Sequence, residues 1–298
     1  MNVLKKDQAQ MMLQVVATVL FFRFVLFEPL ITELGLSKLH YFLFLIAIGF
    51  IIYGGILLYR IVLQEEFPNK SIQQNVEKAY YKYIGINAVG VGISFFVAST
   101  IDKTYYFGFF LGLAAILYLY ITQWRKILMF DNIVYSLIIS SPFFMLVMMD
   151  LMPSLQITDT TVDPEKQQLL NISLQICTLL WLLYFIKTIL FDLKFMELDI
   201  KHQRKSLATL HGRLVGAKRT TFLSFIPLVL ICIFGIIHLK LKLLLGYIVV
   251  FVILPYLFYL TKLWKAKSTK DFNRVNNILN LIIWLTVFSI VVLFFNLK

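Results

Sequence analysis

The sequence predicts an all-α, polytopic membrane protein, and three observations carry that prediction. Hydrophobic residues make up 60% of the 298 residues, and charged residues only 15%, against about 25% in an ordinary soluble domain. The mean hydropathy is +0.82. Apolar segments close to the length of a bilayer crossing recur along the whole chain. These features exclude a soluble globular enzyme, a disordered chain and a disulfide-rich secreted module.

Nine apolar segments approach the ~20 residues that an α-helix needs to cross about 30 Å of hydrocarbon. The fourth and seventh are short, and Lys82 and Asn87 interrupt the third. No soluble domain fits between them, so we expect a single transmembrane domain over residues 1–298. The predicted spans are residues 11–31, 41–62, 79–98, 105–122, 127–149, 168–191, 221–238, 243–262 and 277–295.

Lysine and arginine residues predict the orientation, because they concentrate in cytoplasmic loops. They gather in the N-terminal tail and after the second, fourth, sixth and eighth spans, all on one side, and the longest such loop is 192–220. The opposite connection, 150–166, is acidic. We therefore expect a multi-pass protein of the bacterial inner (cytoplasmic) membrane with a cytoplasmic N-terminus. The net charge of +12 is explained in this way, so no nucleic-acid partner is expected.

Four short segments carry a resemblance to a known family. They are residues 23–29 in the first span, 83–92 in the third, 124–132 at the entry to the fifth, and 265–272 before the last. In this order and at these span numbers they resemble the UbiA superfamily of membrane prenyltransferases, within it the bacterial geranylgeranylglycerol-phosphate synthase-like branch. The resemblance covers the whole chain and implies a UbiA-like bundle of nine transmembrane helices.

The resemblance also implies a chemistry. The family's substrate is a polyprenyl diphosphate, which lies with its tail between helices and its diphosphate at the cytoplasmic face. Two aspartate-rich motifs hold Mg²⁺, which neutralises the leaving group so that an acceptor captures the allylic carbon. Basic side chains help to hold the phosphates. The residues that the resemblance places on the diphosphate side are Arg23, Lys70, Arg125, Lys126, Lys187 and Lys205.

The first aspartate-rich motif is absent from this chain. It is expected near residues 49–61, at the end of the second span, and no carboxylate occurs there. Tyr53 and Gly54 stand where the family has Asn and Asp. The nearest acids, Glu65 and Glu66, follow beyond the end of the motif.

The second motif is partly present. Asp192 and Asp199 match its first and last aspartates, whereas Phe195 replaces its middle aspartate and Leu198 its glycine. On a continuous helix two residues seven apart share a face, two turns apart. With Glu197 they are the candidate ligands of one Mg²⁺ held through water.

A second account of these carboxylates stays open, in which they are solvated acids that pair with Lys194, Lys201 or Arg204. We expect replacement of Asp192 or Asp199 by alanine to leave stability nearly unchanged, because surface carboxylates at a loop edge contribute little.

Polar side chains inside the predicted spans also have two interpretations. Arg23 lies in an apolar span, where a charge is costly, so it either faces a polar cavity or partner or extends towards the interface. Asn87 and Asn132 either line the same cavity or form interhelical hydrogen bonds.

The resemblance and its departures favour a divergent pseudoenzyme that keeps an isoprenoid-binding cavity, with lost or reduced prenyl transfer. One alternative is an active transferase whose rearranged Mg²⁺ site uses Asp192, Glu197 and Asp199, with Glu65 or Glu66. Another is a membrane scaffold or lipid carrier that binds membrane lipid and partners an intact membrane enzyme. A carrier needs the cavity alone, whereas an enzyme needs the cavity and the carboxylates.

The charge distribution makes a direct prediction about topology. A membrane-impermeant thiol reagent added from the periplasmic side should modify a cysteine placed at Thr160 and spare one placed at Ser206. The reverse labelling pattern would contradict the predicted orientation.

Overall fold

The computed structural model describes residues 2–66, 76–101, 103–155, 164–201 and 204–298. These residues contain helices and turns and no β-strand. Nine helical segments within them are long and apolar enough to cross a membrane, and each overlaps one predicted span. The predicted all-α class with nine spans is thereby confirmed for the described residues. The nine segments are Asp7–Leu30, Lys38–Leu63, Glu77–Thr100, Thr104–Thr122, Phe130–Met152, Glu165–Lys194, Leu207–Ile237, Lys242–Lys265 and Thr269–Leu297.

Several spans are built from more than one helix. We number the helices α1 Asn2–Leu20, α2 Lys38–Glu66, α3 Val76–Thr100, α4 Phe107–Thr122, α5 Phe130–Leu155, α6 Pro164–Lys194, α7 Met196–Lys201, α8 Leu207–Leu223, α9 Phe225–Ile237, α10 Lys242–Tyr247, α11 Leu254–Lys265 and α12 Thr269–Leu297. Two π-helical segments, Phe21–Phe27 and Ile248–Ile253, follow α1 and α10. Such segments are rare in proteins and frequent at functional sites.

Helix α3 forms despite the polar residues that interrupt its sequence. The side-chain amide of Asn87 donates to the carbonyl oxygen of Tyr83, one turn earlier, at 3.0 Å. The side chain of Lys82 is exposed. Both polar groups are therefore accommodated without breaking the helix.

The connection after the sixth span differs from the long loop predicted over residues 192–220. Helix α6 continues to Lys194, α7 follows at once, and α8 begins at Leu207 rather than near residue 221. The start of α8 is fixed by a capping box. The hydroxyl of Ser206 accepts from the backbone N–H of Thr209, and the hydroxyl of Thr209 accepts from the backbone N–H of Ser206. Such reciprocal bonds satisfy two N–H groups that a helix start otherwise leaves without partners.

Burial at this cap changes the topology experiment. Ser206 is buried, whereas the neighbouring Lys205 is exposed. The cysteine probe for the side predicted to be cytoplasmic therefore belongs at Lys205, since a cysteine at Ser206 would escape the reagent on either side of the membrane. Cys177 and Cys232 are the natural thiols and need replacing by alanine first.

Gly212 interrupts α8 with φ +74° and ψ 165°. This backbone region is essentially restricted to glycine. The short first turn of α8 and the longer helix after it therefore meet at a fixed bend.

The described chain divides into two compact units. Unit 1 comprises Met1–Thr32, Tyr135–Val147 and Val162–Lys298, and unit 2 comprises Glu33–Val134 and Met148–Thr161.

Unit 2 is organised by close contact between α2 and α3. A Cβ atom added at Gly90 would lie 3.0 Å from Cβ of Phe50 and 3.1 Å from the carbonyl oxygen of Ala47. A side chain there would therefore force the helices apart, as is general for small residues between membrane helices. The carboxylate of Asp150 accepts from the backbone N–H of Leu36 at 3.0 Å and so ties the segment before α2 to α5.

Unit 1 contains a set of buried and half-buried polar side chains that joins α1, α6 and α12. Nζ of Lys194 lies 2.5 Å from Oδ2 of Asp7, and the amide of Asn276 donates to Oδ1 of the same carboxylate at 3.2 Å. Two turns away along α1 and α6, Nζ of Lys187 donates to Oε1 of Gln14 at 3.1 Å. We call this set the polar seam; its members are Asp7, Gln10, Gln14, Lys187, Lys194, Asn276 and Asn280.

The ion pair should dominate the energetics of the polar seam. Neutral interhelical hydrogen bonds in membrane proteins contribute about 0.6 kcal/mol on average. Removing one partner of a buried ion pair costs about 3–5 kcal/mol, because the other charge stays buried without compensation. Asp7 and Lys194 are both buried, so the larger cost of breaking a buried ion pair applies to them.

We predict that Asp7→Leu lowers the free energy of unfolding by about 3–5 kcal/mol, and that adding Lys194→Met restores most of it. Replacing Asn276 by leucine should cost clearly less than Asp7→Leu. Reversible unfolding in mixed micelles measures all three. Lys205→Met is the matched control, since this lysine is exposed. A double variant as unstable as Asp7→Leu alone would contradict the compensation.

Candidate functional site

Asp192 and Asp199 are brought together, but not by a continuous helix. Helix α6 ends at Lys194 and α7 begins at Met196, so the expected shared helical face does not exist. Instead, Arg204 joins the two aspartates. One terminal nitrogen of its guanidinium lies 3.3 Å from Oδ1 of Asp192, and the other lies 3.3 Å from Oδ1 of Asp199.

Both aspartates are buried, which contradicts the expectation that they are surface carboxylates. Asp192 is 3% exposed and Asp199 is 7% exposed. The expectation that alanine at either position leaves stability nearly unchanged therefore had a wrong premise, because a buried ion pair that loses one partner is strongly destabilised.

Glu197 points elsewhere. Its side chain is 79% exposed and lies 3.1 Å from a terminal nitrogen of Arg213. Nε of Arg213 also donates to the carbonyl oxygen of Leu193 at 3.4 Å, which holds α8 against the end of α6. Glu197 thus pairs with a cation of its own rather than joining Asp192 and Asp199.

The three carboxylates do not fit a Mg²⁺ ion as they stand. Mg²⁺ needs oxygen ligands at 2.0–2.1 Å in near-octahedral geometry. In the described part of the chain no three His, Cys, Asp or Glu side chains lie together as such a set. A guanidinium already contacts both of the buried carboxylates.

The basic candidates of unit 1 fall into different environments. Lys187 is 0% exposed and belongs to the polar seam, with the rings of Tyr184 and Phe191 about 6 Å from its Nζ. Arg23 is buried within the π-helical segment after α1, so it does not extend to an exposed interface. Lys205 is exposed beside the cap of α8.

In unit 2, Arg125 follows α4 and lies against the part of α2 where the first aspartate-rich motif was expected. Its Cζ atom is 5.3 Å from the ring centre of Tyr59, a cation–π distance. Lys126 is exposed. Lys70 and the side chains of Glu65 and Glu66 lie outside the described residues.

The position expected for the first aspartate is occupied by a neighbour. A Cβ atom at Gly54 would lie 2.1 Å from Nδ2 and 2.8 Å from Cγ of Asn87. Asn87 in turn donates to Tyr83. Asn87 therefore packs where a Gly54 side chain would begin, and a carboxylate cannot be restored there without moving it.

Sequence reasoning missed most of the polar seam. The signal was present, because Asp7, Gln10 and Gln14 recur at helical spacing, as do Asn276 and Asn280. Polar residues at such spacing in apolar helices favour one shared interior face. Arg204 was named only as one of three alternative partners, since the sequence does not say which cation reaches both aspartates.

These features define an all-helical membrane protein, with nine candidate spans in its described part. Neither a protein-family model nor a curated protein sequence matches the chain. Among solved structures, it is similar to the apo structure of a UbiA homolog from Aeropyrum pernix K1, with a TM-score of 0.60 and 13% sequence identity. The similarity covers 97% of this chain and 98% of that chain. The chain therefore has a UbiA-like fold.

We predict that Gly54→Ala destabilises the protein by about 1–3 kcal/mol, the usual cost of overpacking. The same substitution in an Asn87→Ala background should cost much less, because the blocking side chain is gone. Gly49→Ala is the matched control on the same helix, since nothing lies within 4 Å of its added Cβ; it should be neutral or stabilising. Thermal unfolding in detergent measures the series. Equal losses at Gly54 with and without Asn87 would contradict the packing account.

Proposed function

We propose that this chain is a divergent member of the UbiA superfamily, of the bacterial geranylgeranylglycerol-phosphate synthase-like branch. It binds an isoprenoid as its polyprenyl diphosphate and has lost, or strongly reduced, Mg²⁺-dependent prenyl transfer. The observation that carries the proposal is a UbiA-like fold over 97% of the chain whose two expected acidic positions are altered. One is blocked by Asn87, and the other is bound by Arg204.

The loss of ligands makes a large effect on the rate reasonable. Mutation of a residue that hydrogen-bonds to a metal ligand commonly costs 10- to 100-fold in metal affinity or activity. Losses within one site are not additive, yet each tenfold step still corresponds to about 1.4 kcal/mol of barrier. Because one motif is absent and the other is incomplete, we expect the rate of prenyl transfer to fall by several orders of magnitude.

An apolar cavity in unit 1 supports binding of an apolar chain. Its volume is about 290 Å³, at the lower end of ordinary ligand pockets. It is lined by α6, α9, α12 and the π-helical segment after α10. On α6 its lining residue Thr178 lies 14 residues from Asp192, which is about 21 Å along the helix. A ligand with its diphosphate near Asp192 would need a tail of that length to reach it.

The same proposal covers location and partners. The fold supports a multi-pass membrane protein in contact with membrane lipid. We place it in the bacterial inner membrane, as one domain over residues 1–298, with the N-terminus and the α7 region on the cytoplasmic side. In unit 1 the diphosphate would meet the exposed Lys205 from that side.

A lipid carrier or scaffold is the second candidate, and the arginine-bound aspartates favour it. A carrier that delivers isoprenoid to an intact membrane enzyme needs the apolar cavity and no metal site. An active transferase with a rearranged Mg²⁺ site is less well supported, since Glu197 pairs with Arg213 instead of joining the aspartates.

Binding and turnover of labelled geranylgeranyl diphosphate by the purified protein test the proposal. We predict saturable binding with and without Mg²⁺, and little or no release of diphosphate. Thr178→Phe, which places a ring in the cavity lining, should weaken binding about tenfold or more, since a single extra methylene in an apolar pocket is worth about 10- to 200-fold. Asn171→Phe is the matched control, at an exposed position two turns earlier on the same helix and outside the cavity lining, and should bind normally.

The outcomes separate the alternatives. Robust diphosphate release that Asp199→Ala abolishes would replace the proposal with the rearranged enzyme. Binding without turnover, together with co-purification of a membrane prenyltransferase, would favour the carrier. No binding of any polyprenyl diphosphate would refute the isoprenoid assignment.

A further inference from the structure

We propose that Arg204 is an internal cation that takes the place of a divalent metal ion between Asp192 and Asp199. The second acidic motif is then held together by ion pairs without a metal ion, and it binds a divalent cation only when Arg204 is removed. The inference concerns the cation at this motif and does not depend on whether an isoprenoid binds elsewhere in the fold.

The contacts have the form of a bridge between separate elements. Asp192 lies on the last turns of α6, Asp199 lies on α7, and Arg204 follows α7. Each terminal guanidinium nitrogen approaches one of the two carboxylates at 3.3 Å. The backbone N–H of Arg204 also donates to the carbonyl oxygen of Asp199 at 2.9 Å. One residue therefore joins both carboxylates and fixes its own backbone to α7.

Burial explains why a cation is needed there. The two aspartates are almost fully buried, and two neighbouring buried carboxylates repel each other and lose hydration. A divalent ion relieves both penalties by binding oxygen from each. A guanidinium relieves them in part, since it carries one charge and presents several N–H donors in a planar fork.

The backbone around Arg204 keeps it in position. Its carbonyl oxygen accepts from the hydroxyl of Thr209 at 3.2 Å, and Thr209 belongs to the capping box of α8. The bridge is thus attached to the start of α8 on one side and to α7 on the other. A mobile surface arginine would have neither attachment.

A nearby ion pair provides an internal comparison. Arg213 pairs with one carboxylate, that of Glu197, which is 79% exposed, and its Nε donates to the backbone of Leu193. Exposed pairs of this kind contribute about 0–1 kcal/mol and are screened by salt. Removing Arg213 therefore affects one solvated acid, whereas removing Arg204 takes away the cation that contacts both buried acids.

Binding of Mn²⁺, a paramagnetic substitute for Mg²⁺ with the same preference for oxygen ligands, tests the inference. The full-length protein in detergent is titrated, and free Mn²⁺ is followed by electron paramagnetic resonance. We expect no saturable binding by the wild type in the micromolar range. Arg204→Ala should gain a site, with affinity at least tenfold above the wild type, and Asp199→Asn in that background should abolish it. Arg213→Ala is the matched control and should gain nothing.

If Arg204→Ala folds too poorly for the Mn²⁺ titration, its thermal stability is measured instead. In that case millimolar Mg²⁺ or Mn²⁺ should raise its melting temperature and leave that of the wild type unchanged. Arg204→Lys keeps one charge but loses the planar fork. The rise of its melting temperature on adding divalent ions should therefore lie between those of the wild type and Arg204→Ala.

Two outcomes overturn the inference. The first is saturable Mn²⁺ binding by the wild type that Asp199→Asn removes. The second is an Arg204→Ala protein that neither binds nor is stabilised by divalent ions. Neither result bears on isoprenoid binding, which the geranylgeranyl diphosphate titration reports separately.

Discussion

The buried ion pair between Asp7 and Lys194 is the interaction on which the arrangement of unit 1 depends. In an apolar environment a charge without a partner is so costly that its position fixes that of the helix carrying it. Asp7 also accepts from Asn276, so a single carboxylate sets the relative positions of α1, α6 and α12. The hydrogen bonds of Gln14 to Lys187 and to the backbone of Asn280 extend the same constraint along these helices.

This constraint reaches the altered acidic motif through the geometry of α6. Asp192 and Lys194 are two residues apart, which places their side chains about 200° apart around a helix. Because Lys194 is held towards α1, Asp192 is directed to the other side, where Arg204 contacts it. The same last turn of α6 thus serves the packing of the spans and the assembly of the candidate site.

The two positions where the resemblance predicts acidic motifs differ from that expectation for different physical reasons. At Gly54 the change is steric, since Asn87 fills the space in which a side chain would begin. At Asp192 and Asp199 the change is electrostatic, since the carboxylates persist and a guanidinium supplies the positive charge. Each alteration is supported by neighbouring hydrogen bonds, which distinguishes it from an isolated substitution on a surface. The proposed function, an isoprenoid-binding protein with little transferase activity, rests on these two differences and on the UbiA-like fold.

The sequence by itself determined the all-α class and the nine spans, because a bilayer imposes a length and an apolar composition that can be counted residue by residue. It also singled out Asp192 and Asp199 as candidates for one shared site. It was wrong about a long loop over residues 192–220, because the charged side chains there suggested solvent, whereas the cap at Ser206 and Thr209 starts α8 early. Only the tertiary structure decided which groups pair. Asp7 and Lys194 are 187 residues apart, and a periodic pattern within one helix does not specify its partner on another. For the same reason the structure alone assigned Arg204 to Asp192 and Asp199, and Asn87 to the space beside Gly54.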